Sequence, residues 1–270
     1  MDLEAAQRGE AGRSVGCISR PGVGTHEHVF FFGTDGPELD DIGDRPNNPL
    51  TNRVVERRLL TMSGKANVDR RTERRQETQR EIVQASWEVV REHGLAGLSM
   101  RDLGERVGMR AQSIYSYFAS KNEIYDAMFL EGYQAFAVRM ANAADEDDLA
   151  TDPVAMARAA VRAFVEFCTS DPVRYQLLFQ RTIPDFTPSP ESYAVAVQTY
   201  EQMSEQLAGV GVRDQATLDL WTAVLTGLTD QQISNDPGGT RWTRLIDRAV
   251  DMLIAESRTT TTTTTESEKA

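Results

Sequence analysis

The side chains that suit binding chemistry concentrate between residues 70 and 121. A run of arginines opens this stretch, at Arg70, Arg71, Arg74, Arg75 and Arg80. Polar and aromatic side chains follow further along, at Gln112, Ser113, Tyr115, Ser116 and Tyr117. Arginine binds phosphates, and amides and hydroxyls bind base edges, so the combination indicates contact with nucleic acid. The arginine run alone is equally typical of a solvated helix start whose arginines pair with Glu73 and Glu77.

The charge distribution supports this interpretation only locally. The chain of 270 residues has a formal net charge of −12, which by itself argues against binding to phosphates. From Lys65 to Lys121, however, eleven Lys and Arg stand against eight Asp and Glu, a net of +3 that leaves −15 for the rest. The basic part of the sequence is therefore the part that carries the candidate contacts.

Three helices are predicted to position these residues. In the first, Ile82, Ala85 and Val89 recur at the spacing of a helix packed on one side. Gly94 ends that helix, because glycine readily adopts the left-handed conformation of a C-terminal cap. A long basic helix is therefore expected to precede two shorter helices.

The two shorter helices have their own signals. Ser99 and Asp102 match a capping box at the start of the second helix, and Gly108 allows the sharp turn that ends it. Ile114 and Phe118 lie four residues apart in the third helix and face inward, which leaves its polar and tyrosine side chains outside. This arrangement predicts a helix-turn-helix whose third helix enters the DNA major groove.

The stretch from Glu77 to Met128 resembles the DNA-binding domain of TetR-type transcription regulators. The resemblance covers about fifty positions and rests on Ile82, Ala85, Gly94, Ser99, Arg101, Asp102, Gly108, Tyr115, Tyr117, Phe118, Ser120, Lys121 and Glu123. It implies that DNA is contacted by Ser99, Arg101, Arg110, Ala111, Gln112, Ser113, Tyr115, Ser116, Tyr117 and Lys121.

The resemblance also implies roles and exposes departures. Arg101 and Gln112 are the expected base-discriminating residues, and Tyr115, Tyr117 and Lys121 are expected to add affinity that does not depend on sequence. The chain departs from the family pattern at four positions, which are Gly104 for the usual Ala, Arg110 for Ser or Thr, Gln112 for Gly or Pro, and Ala119 for Pro. These departures affect the contact set rather than the expected fold.

Behind this domain the sequence predicts a helical body. Helical patterns cover residues 124–144, 154–169, 172–179, 191–207, 214–234 and 240–256, and no segment alternates as a half-buried strand would. The predicted class is all-α, with an N-terminal three-helix helix-turn-helix domain and a C-terminal helical domain for ligand binding and dimerisation. The expected divisions are residues 1–69, 70–126, 127–256 and 257–270.

The last two helices are apolar over more than one side. We expect one side of each to pack on a second copy, through Leu218, Trp221, Leu225, Leu228, Leu245, Ala249 and Leu253. The resemblance implies the same homodimer, formed by a four-helix bundle, and a palindromic DNA operator follows from its two-fold symmetry. The alternative is that one chain covers both apolar sides by itself.

The resemblance further implies a cavity for a small-molecule inducer. Its candidate lining residues are Phe164, Phe167, Tyr175, Phe179, Tyr193, Tyr200 and Trp221, although most aromatic residues in such a domain are core. No pattern of acids or bases identifies the effector. Repression is implied by the family resemblance alone, and we expect no cofactor.

Other functional classes find little support in the sequence. No catalytic motif, P-loop or dinucleotide fingerprint occurs, so an enzyme is not expected. Cys17 and Cys168 lie too far apart to suggest a zinc site, and His26 and His28 lack a third ligand. The absence of a signal peptide or membrane span favours the cytoplasm. The remaining alternative is a protein-binding helical module that has lost DNA affinity.

Both ends of the chain are expected to lie outside the fold. Residues 1–61 mix Gly, Pro, Asn and Asp without a sustained apolar period, and we expect an N-terminal extension of 69 residues to be disordered. Translation starting at Met62 would remove most of it. Seven consecutive threonines, at 259–265, offer no apolar partner and predict a flexible tail.

Overall fold

The computed structural model describes residues 70–144 and 152–267, with side chains at 72–143 and 152–258. The described residues form nine α-helices and no strand. The predicted extension 1–69, the start at Met62, both N-terminal histidines and Cys17 lie outside the described residues. The helices are α1 (Arg70–His93), α2 (Met100–Val107), α3 (Ala111–Ile114), α4 (Lys121–Ala144), α5 (Pro153–Ser170), α6 (Pro172–Phe179), α7 (Pro190–Ala208), α8 (Gln215–Asn235) and α9 (Ile246–Ser267).

The all-α class is confirmed, and most helix bounds agree with the sequence patterns within a few residues. Proline opens α5, α6 and α7, where the missing N–H has no intrahelical partner in any case. Asp152, Asp171 and Ser189 cap these three helices by accepting a backbone N–H in the first turn. Local sequence therefore specifies where the helices of the body begin.

The last helix corrects one expectation. Its α-helical part begins at Ile246, after a short 3-10 turn at Thr243–Leu245, and continues to Ser267 instead of ending at residue 256. The backbone of the seven threonines is therefore helical, and the end predicted for this helix is wrong. The physical reason is that extending an existing helix costs far less than starting one.

Two hydrophobic cores organise the chain. The first lies among α1, α2, α3 and the first turns of α4, and α6 contributes Leu177 to it. The second lies among α4 to α9 and contains most of the aromatic side chains. We call the first group the N-terminal unit and the second the helical body. Because α4 is continuous across residue 126, the expected domain boundary falls inside a helix.

A buried tyrosine fastens the turn after α1 to α4. The Tyr125 side chain is 2% exposed, and its hydroxyl donates to the Leu95 carbonyl at 2.6 Å. Burial raises the pKa of Tyr125, which keeps the hydroxyl protonated as a donor. The α1–α2 connection is thus held by a hydrogen bond that water does not compete for.

Replacing Tyr125 with Phe is expected to lower the free energy of unfolding by about 1 to 2 kcal/mol, because it leaves the buried Leu95 carbonyl without its donor. Urea denaturation followed by circular dichroism measures the change. Tyr115→Phe is the matched control, since Tyr115 is 46% exposed and its loss of a hydroxyl should leave stability unchanged. Equal stability of both variants would contradict this role.

Candidate nucleic-acid interface

A tight turn sets α3 against α2. Gly108 ends α2 in the left-handed conformation, with φ of 68°, and the Met109 N–H donates to the Gly104 carbonyl at 2.8 Å. A Cβ atom built on Gly104 would lie 2.5 Å from the Met109 carbonyl oxygen, closer than real Cβ atoms come. The Gly104 departure from the family pattern therefore allows a close approach of backbone to backbone.

The third helix is anchored on one side and open on the other. Ile114 is fully buried and Phe118 nearly so, as their spacing predicts. The side chains of Gln112, Ser113 and Ser116 are exposed, as is Tyr115. The short helix α3 and the turn at 115–117 thus present amide and hydroxyl groups to the outside, while Tyr117 is half-buried. The prediction that the third helix extends to Phe118 is wrong: α3 ends at Ile114, because the Ser116 and Tyr117 N–H groups donate to carbonyls three residues back, as in a turn.

The start of α3 lacks a side-chain cap. Arg110 occupies the N-cap position and makes no capping hydrogen bond with its side chain, as expected from its departure from Ser or Thr. The Arg110 carbonyl still accepts the Ser113 N–H at 2.8 Å. The exposed guanidinium is consequently available to add positive charge at the N-terminus of α3.

Helix α1 supports the turn after α3 through two residues that were not among the ten predicted DNA contacts. Arg75 donates to the Ser116 carbonyl at 2.7 Å, and its guanidinium lies 5.1 Å from the centre of the Tyr117 ring. Gln79 donates to the Tyr117 carbonyl at 3.2 Å. Arg75 belongs to the basic run, but its contact with Ser116 could not be predicted, because the two residues are 41 positions apart in sequence. The arginine run is therefore partly structural.

Ser99 and Arg101 lie at the start of α2. The Ser99 hydroxyl caps the helix by accepting the Asp102 N–H at 3.1 Å, which confirms the predicted cap. Arg101 pairs with Glu105 at 3.2 Å, and both side chains are largely exposed, at 84% and 69%. Exposed pairs at this spacing contribute roughly 0.3–0.5 kcal/mol. Arg101 can exchange this weak partner for a DNA group.

Arg106 shows the contrasting arrangement on the same helix. Its guanidinium pairs with Glu88 at 3.1 Å and with Glu92 at 2.6 Å, so it fastens α2 to α1. Hydrogen bonding to these carboxylates raises the pKa of Arg106 and lowers that of Glu92. Arg106 therefore has a structural role, because it pairs with two acids of α1. Arg101 is the arginine of α2 that is more available to bind DNA.

Lys121 occupies the first turn of α4. The Glu123 N–H donates to the Ser120 hydroxyl at 3.2 Å, while a Glu123 carboxylate oxygen accepts the Ala119 N–H at 2.7 Å. These reciprocal contacts form a variant of the capping box. The exposed Lys121 thus sits at the positive end of a 24-residue helix, where a phosphate is electrostatically favoured.

Of the ten positions predicted to contact DNA, seven are exposed: Arg101, Arg110, Gln112, Ser113, Tyr115, Ser116 and Lys121. The other three, Ser99, Ala111 and Tyr117, are half-buried. Contact with DNA by any of them stays a prediction.

In the helical body, three of the predicted pocket residues meet in a cleft. Phe164 of α5, Tyr200 of α7 and Trp221 of α8 line it, together with Met203, Ser204, Leu207, Leu218, Thr222, Leu225 and Thr226. The hydroxyls of Thr222 and Thr226 donate to carbonyls one turn earlier in α8. The cleft is narrow, with a cavity volume of about 30 Å³, so a larger ligand would have to part α7 from α8.

The remaining predicted pocket residues do not line this cleft. Phe167 and Phe179 each lie 5.2 Å from Phe136, measured between ring centres, and Tyr175 lies 5.8 Å from Phe179. Tyr193 is half-buried against the same core. These four side chains belong to the hydrophobic core of the helical body, where edge-on and tilted aromatic rings pack efficiently with each other.

The predicted dimer interface is corrected in part. Leu218, Trp221, Leu225 and Leu253 lie in the core of their own chain, which leaves little of their surface for contact with a second copy. The Trp221 indole N–H donates to the Ser257 hydroxyl at 3.2 Å and so joins α8 to α9. Helical spacing reveals that a side is apolar but not what covers it, which is why this assignment was wrong.

Of the other predicted interface residues, Ala249 is 9% exposed, and Leu228 and Leu245 are half-buried. The large apolar side chains that α8 and α9 expose are Leu220, at 44%, and Met252, at 65%. Among the described residues, no helix is long and apolar enough to cross a membrane, and no group of three His, Cys, Asp or Glu could hold a metal.

Exchanging Gly104 for Ala is expected to lower the free energy of unfolding by roughly 1–3 kcal/mol, because the new Cβ would meet backbone atoms that cannot turn away. Thermal and urea unfolding measure the loss. Gly227→Ala is the control: α8 leaves open space there, and alanine in a helix interior should stabilise by about 0.5–1 kcal/mol. A Gly104→Ala protein as stable as the parent would show that the turn is not tightly packed.

Comparison with known proteins finds similarity to the N-terminal unit. Residues 82–128 match the family model described as bacterial regulatory proteins, tetR family. The HTH-type transcriptional regulator Rv1816 of Mycobacterium tuberculosis is 28% identical over 130 residues, which are 47% of this chain and 54% of that protein. The chain thus spans about half the length of this relative.

Solved structures share the fold over about two thirds of this chain. A protein with unknown function from Rhodococcus sp. RHA1 aligns over 66% of this chain and 94% of its own, with a TM-score of 0.56 and 14% identity. The fatty acid degradation regulator FadR from Bacillus halodurans aligns over the same shares, with a TM-score of 0.50 and 15% identity. At such low identity these likenesses establish the helical architecture.

Proposed function

We propose that this chain, whose residues 82–128 are a TetR-type DNA-binding domain, is a sequence-specific DNA-binding regulator of transcription. The observation that carries the proposal is the construction of α3. In α3 and the turn that follows it, Ile114 and Phe118 are buried in the N-terminal unit, while Gln112, Ser113 and Ser116 are exposed and suited to hydrogen-bonding base edges. A helix that served packing alone would gain nothing from presenting these groups together.

The groups around α3 divide into two roles under this proposal. Gln112 and Arg101 would contact bases, since amide and guanidinium groups form bidentate hydrogen bonds with purines. Lys121, Tyr115 and Tyr117 would contact phosphates and fix the position of the unit on DNA. The weak Arg101–Glu105 pair supports the first role, because little is lost when the arginine changes partner.

Two copies are proposed to act together. Leu220 of α8 and Met252 of α9 are exposed apolar side chains on neighbouring helices, and Ala223 on α8 is exposed as well. A second copy that covered α8 and α9 would bury them and bring two N-terminal units onto one palindromic operator. These residues replace the buried stripe that the sequence suggested.

The cleft between α7 and α8 is the proposed effector site. None of its lining side chains carries a charge, and its threonine hydroxyls are already hydrogen-bonded to helix carbonyls. A small, mostly apolar effector suits such a lining. Binding there would change the orientation of the N-terminal units and release the operator, which is the behaviour of a ligand-responsive repressor.

Gln112→Ala is expected to weaken binding to the chain's operator by roughly fivefold to 150-fold, the equivalent of 1–3 kcal/mol for a lost base contact. Fluorescence anisotropy with operator DNA selected from random fragments measures it. Affinity for unrelated DNA should not change. Gln198→Ala on the exposed side of α7 is the control and should bind as the parent does.

Lys121→Gln should instead weaken binding to operator and unrelated DNA alike and reduce the salt dependence by about one unit of slope. A folded parent protein that binds no DNA fragment at low salt would contradict the proposed function. It would favour the protein-binding alternative.

The double variant Leu220→Glu, Met252→Glu is expected to turn a dimer into monomers, because burying two carboxylates in an apolar interface is strongly unfavourable. Sedimentation equilibrium measures the mass. Val138→Glu is the matched control: Val138 is 59% exposed on α4, away from the proposed interface, and the dimer should persist. A monomeric parent, or a double variant that stays dimeric, would refute this interface.

A further inference from the structure

One carboxylate of α4 holds the first turn of α7. An Asp126 oxygen accepts the Ser189 backbone N–H at 2.7 Å, and the other accepts the hydroxyls of Ser189 and Ser192 at 2.9 Å each. Ser189 is also the N-cap of α7, and its hydroxyl accepts the Ser192 N–H at 3.2 Å. We call Asp126, Ser189 and Ser192 the Asp126 network.

The network is built from a charge and neutral donors. Among the described residues, no Lys or Arg forms an ion pair with Asp126, so its negative charge is met by one backbone N–H and two hydroxyls. Hydrogen bonds to an ionised acceptor are shorter and stronger than neutral ones, and they depend strongly on geometry. Ser192 is 2% exposed, whereas Asp126 and Ser189 are half-buried. A displacement of α7 would therefore disturb the hydrogen bonds that Asp126 accepts.

The loop before α7 is fitted to the same part of α4. The Phe186 ring lies 5.7 Å from that of Tyr125 and 6.4 Å from that of Phe129, measured between centres. The Asn122 amide donates to the Asp185 carbonyl at 3.2 Å, and Asp185 has a φ of 59°, in the left-handed region that non-glycine residues rarely adopt. Side-chain contacts thus hold an unfavourable backbone conformation in place.

These contacts lie between the two functional regions. Asp126 follows Lys121 by five residues, a rise of about 7–8 Å along α4, and Ser192 precedes Tyr200 of the cleft by eight residues, about 12 Å along α7. The cleft has little free volume, so a ligand larger than this volume would have to separate α7 from α8. Helix α8 is held to α9 by the Trp221–Ser257 hydrogen bond. A separation that preserves this α8–α9 contact would displace α7.

We propose that the Asp126 network is the junction through which the state of the α7–α8 cleft controls the position of the first turns of α4, and with them Lys121. This proposal rests on the proposed function, since it assigns a route for its regulation. Displacement of α7 would move Ser189 and Ser192. Because these residues are hydrogen-bonded to Asp126 in the second turn of α4, the first turns of α4 would shift with them. Asp126 is a positioning residue and touches neither DNA nor effector.

A thermodynamic cycle tests the junction without knowledge of the effector. Ser204→Phe adds a ring inside the cleft and imitates an occupied state. In the parent background it is expected to weaken operator binding at least tenfold. In an Asp126→Asn background, where the side chain keeps only one accepting oxygen, the same substitution should change the dissociation constant less than threefold.

Glu131→Gln supplies the matched background. Glu131 is another α4 carboxylate, but it accepts from Gln84 of α1 at 2.7 Å, within the N-terminal unit, and not from α7. In this background Ser204→Phe should still weaken operator binding at least tenfold. Thr226→Met fills the same cleft from α8 and repeats the cycle if Ser204→Phe does not fold.

Hydrogen exchange supplies a readout that does not involve DNA. Ser204→Phe is expected to speed exchange of the amides of residues 124–129 in the parent but not in the Asp126→Asn protein. Equal effects in both backgrounds, or no effect of filling the cleft in the parent, would overturn the proposal. Failure of the parent to bind DNA would instead refute the proposed function and leave the exchange result to decide on the junction.

Discussion

The fold depends on a single helix that is buried in two different cores. Ile124 and Met128, in the first turns of α4, are fully buried in the N-terminal unit, while Tyr133 and Phe136 are buried in the helical body. Because an α-helix is stiff over this length, the two cores cannot reorient independently without bending it or breaking contacts at one end. A change in the helical body can therefore reach the DNA-contacting residues through α4 and through the contacts that surround it.

The contacts around α4 explain why the two parts are closely joined. Leu178 of α6 packs against Gly132, where an added Cβ would lie 2.9 Å from it. Arg91, near the end of α1, pairs at 2.7 Å with Asp171, whose carboxylate also caps α6. These contacts fix α6 between the units, while the Asp126 network fixes α7. An effector that displaced α7 would thus move it relative to α6, which these contacts hold in place.

Much of this architecture could be predicted from local patterns. The Ser99 cap, the left-handed Gly108 and the buried Ile114 are short-range features, and each was predicted from its neighbours in sequence. The packing and site contacts that were missed depend on distant partners. The apolar stripe containing Trp221 covers its own core instead of a second copy, and the Arg75 and Asp126 contacts join residues 41 and 63 positions apart in sequence. Periodicity carries no information about which distant segment lies opposite.

The proposed DNA recognition depends on the exposed side chains of α3 and of the turn that follows it. Methylation interference and hydroxyl-radical footprinting of the purified chain on selected DNA fragments test it most directly. We expect two protected half-sites related by two-fold symmetry, with interference at major-groove purine positions about one helical turn apart. Uniform weak protection along every fragment, or none by a folded protein, would contradict sequence-specific binding by α3.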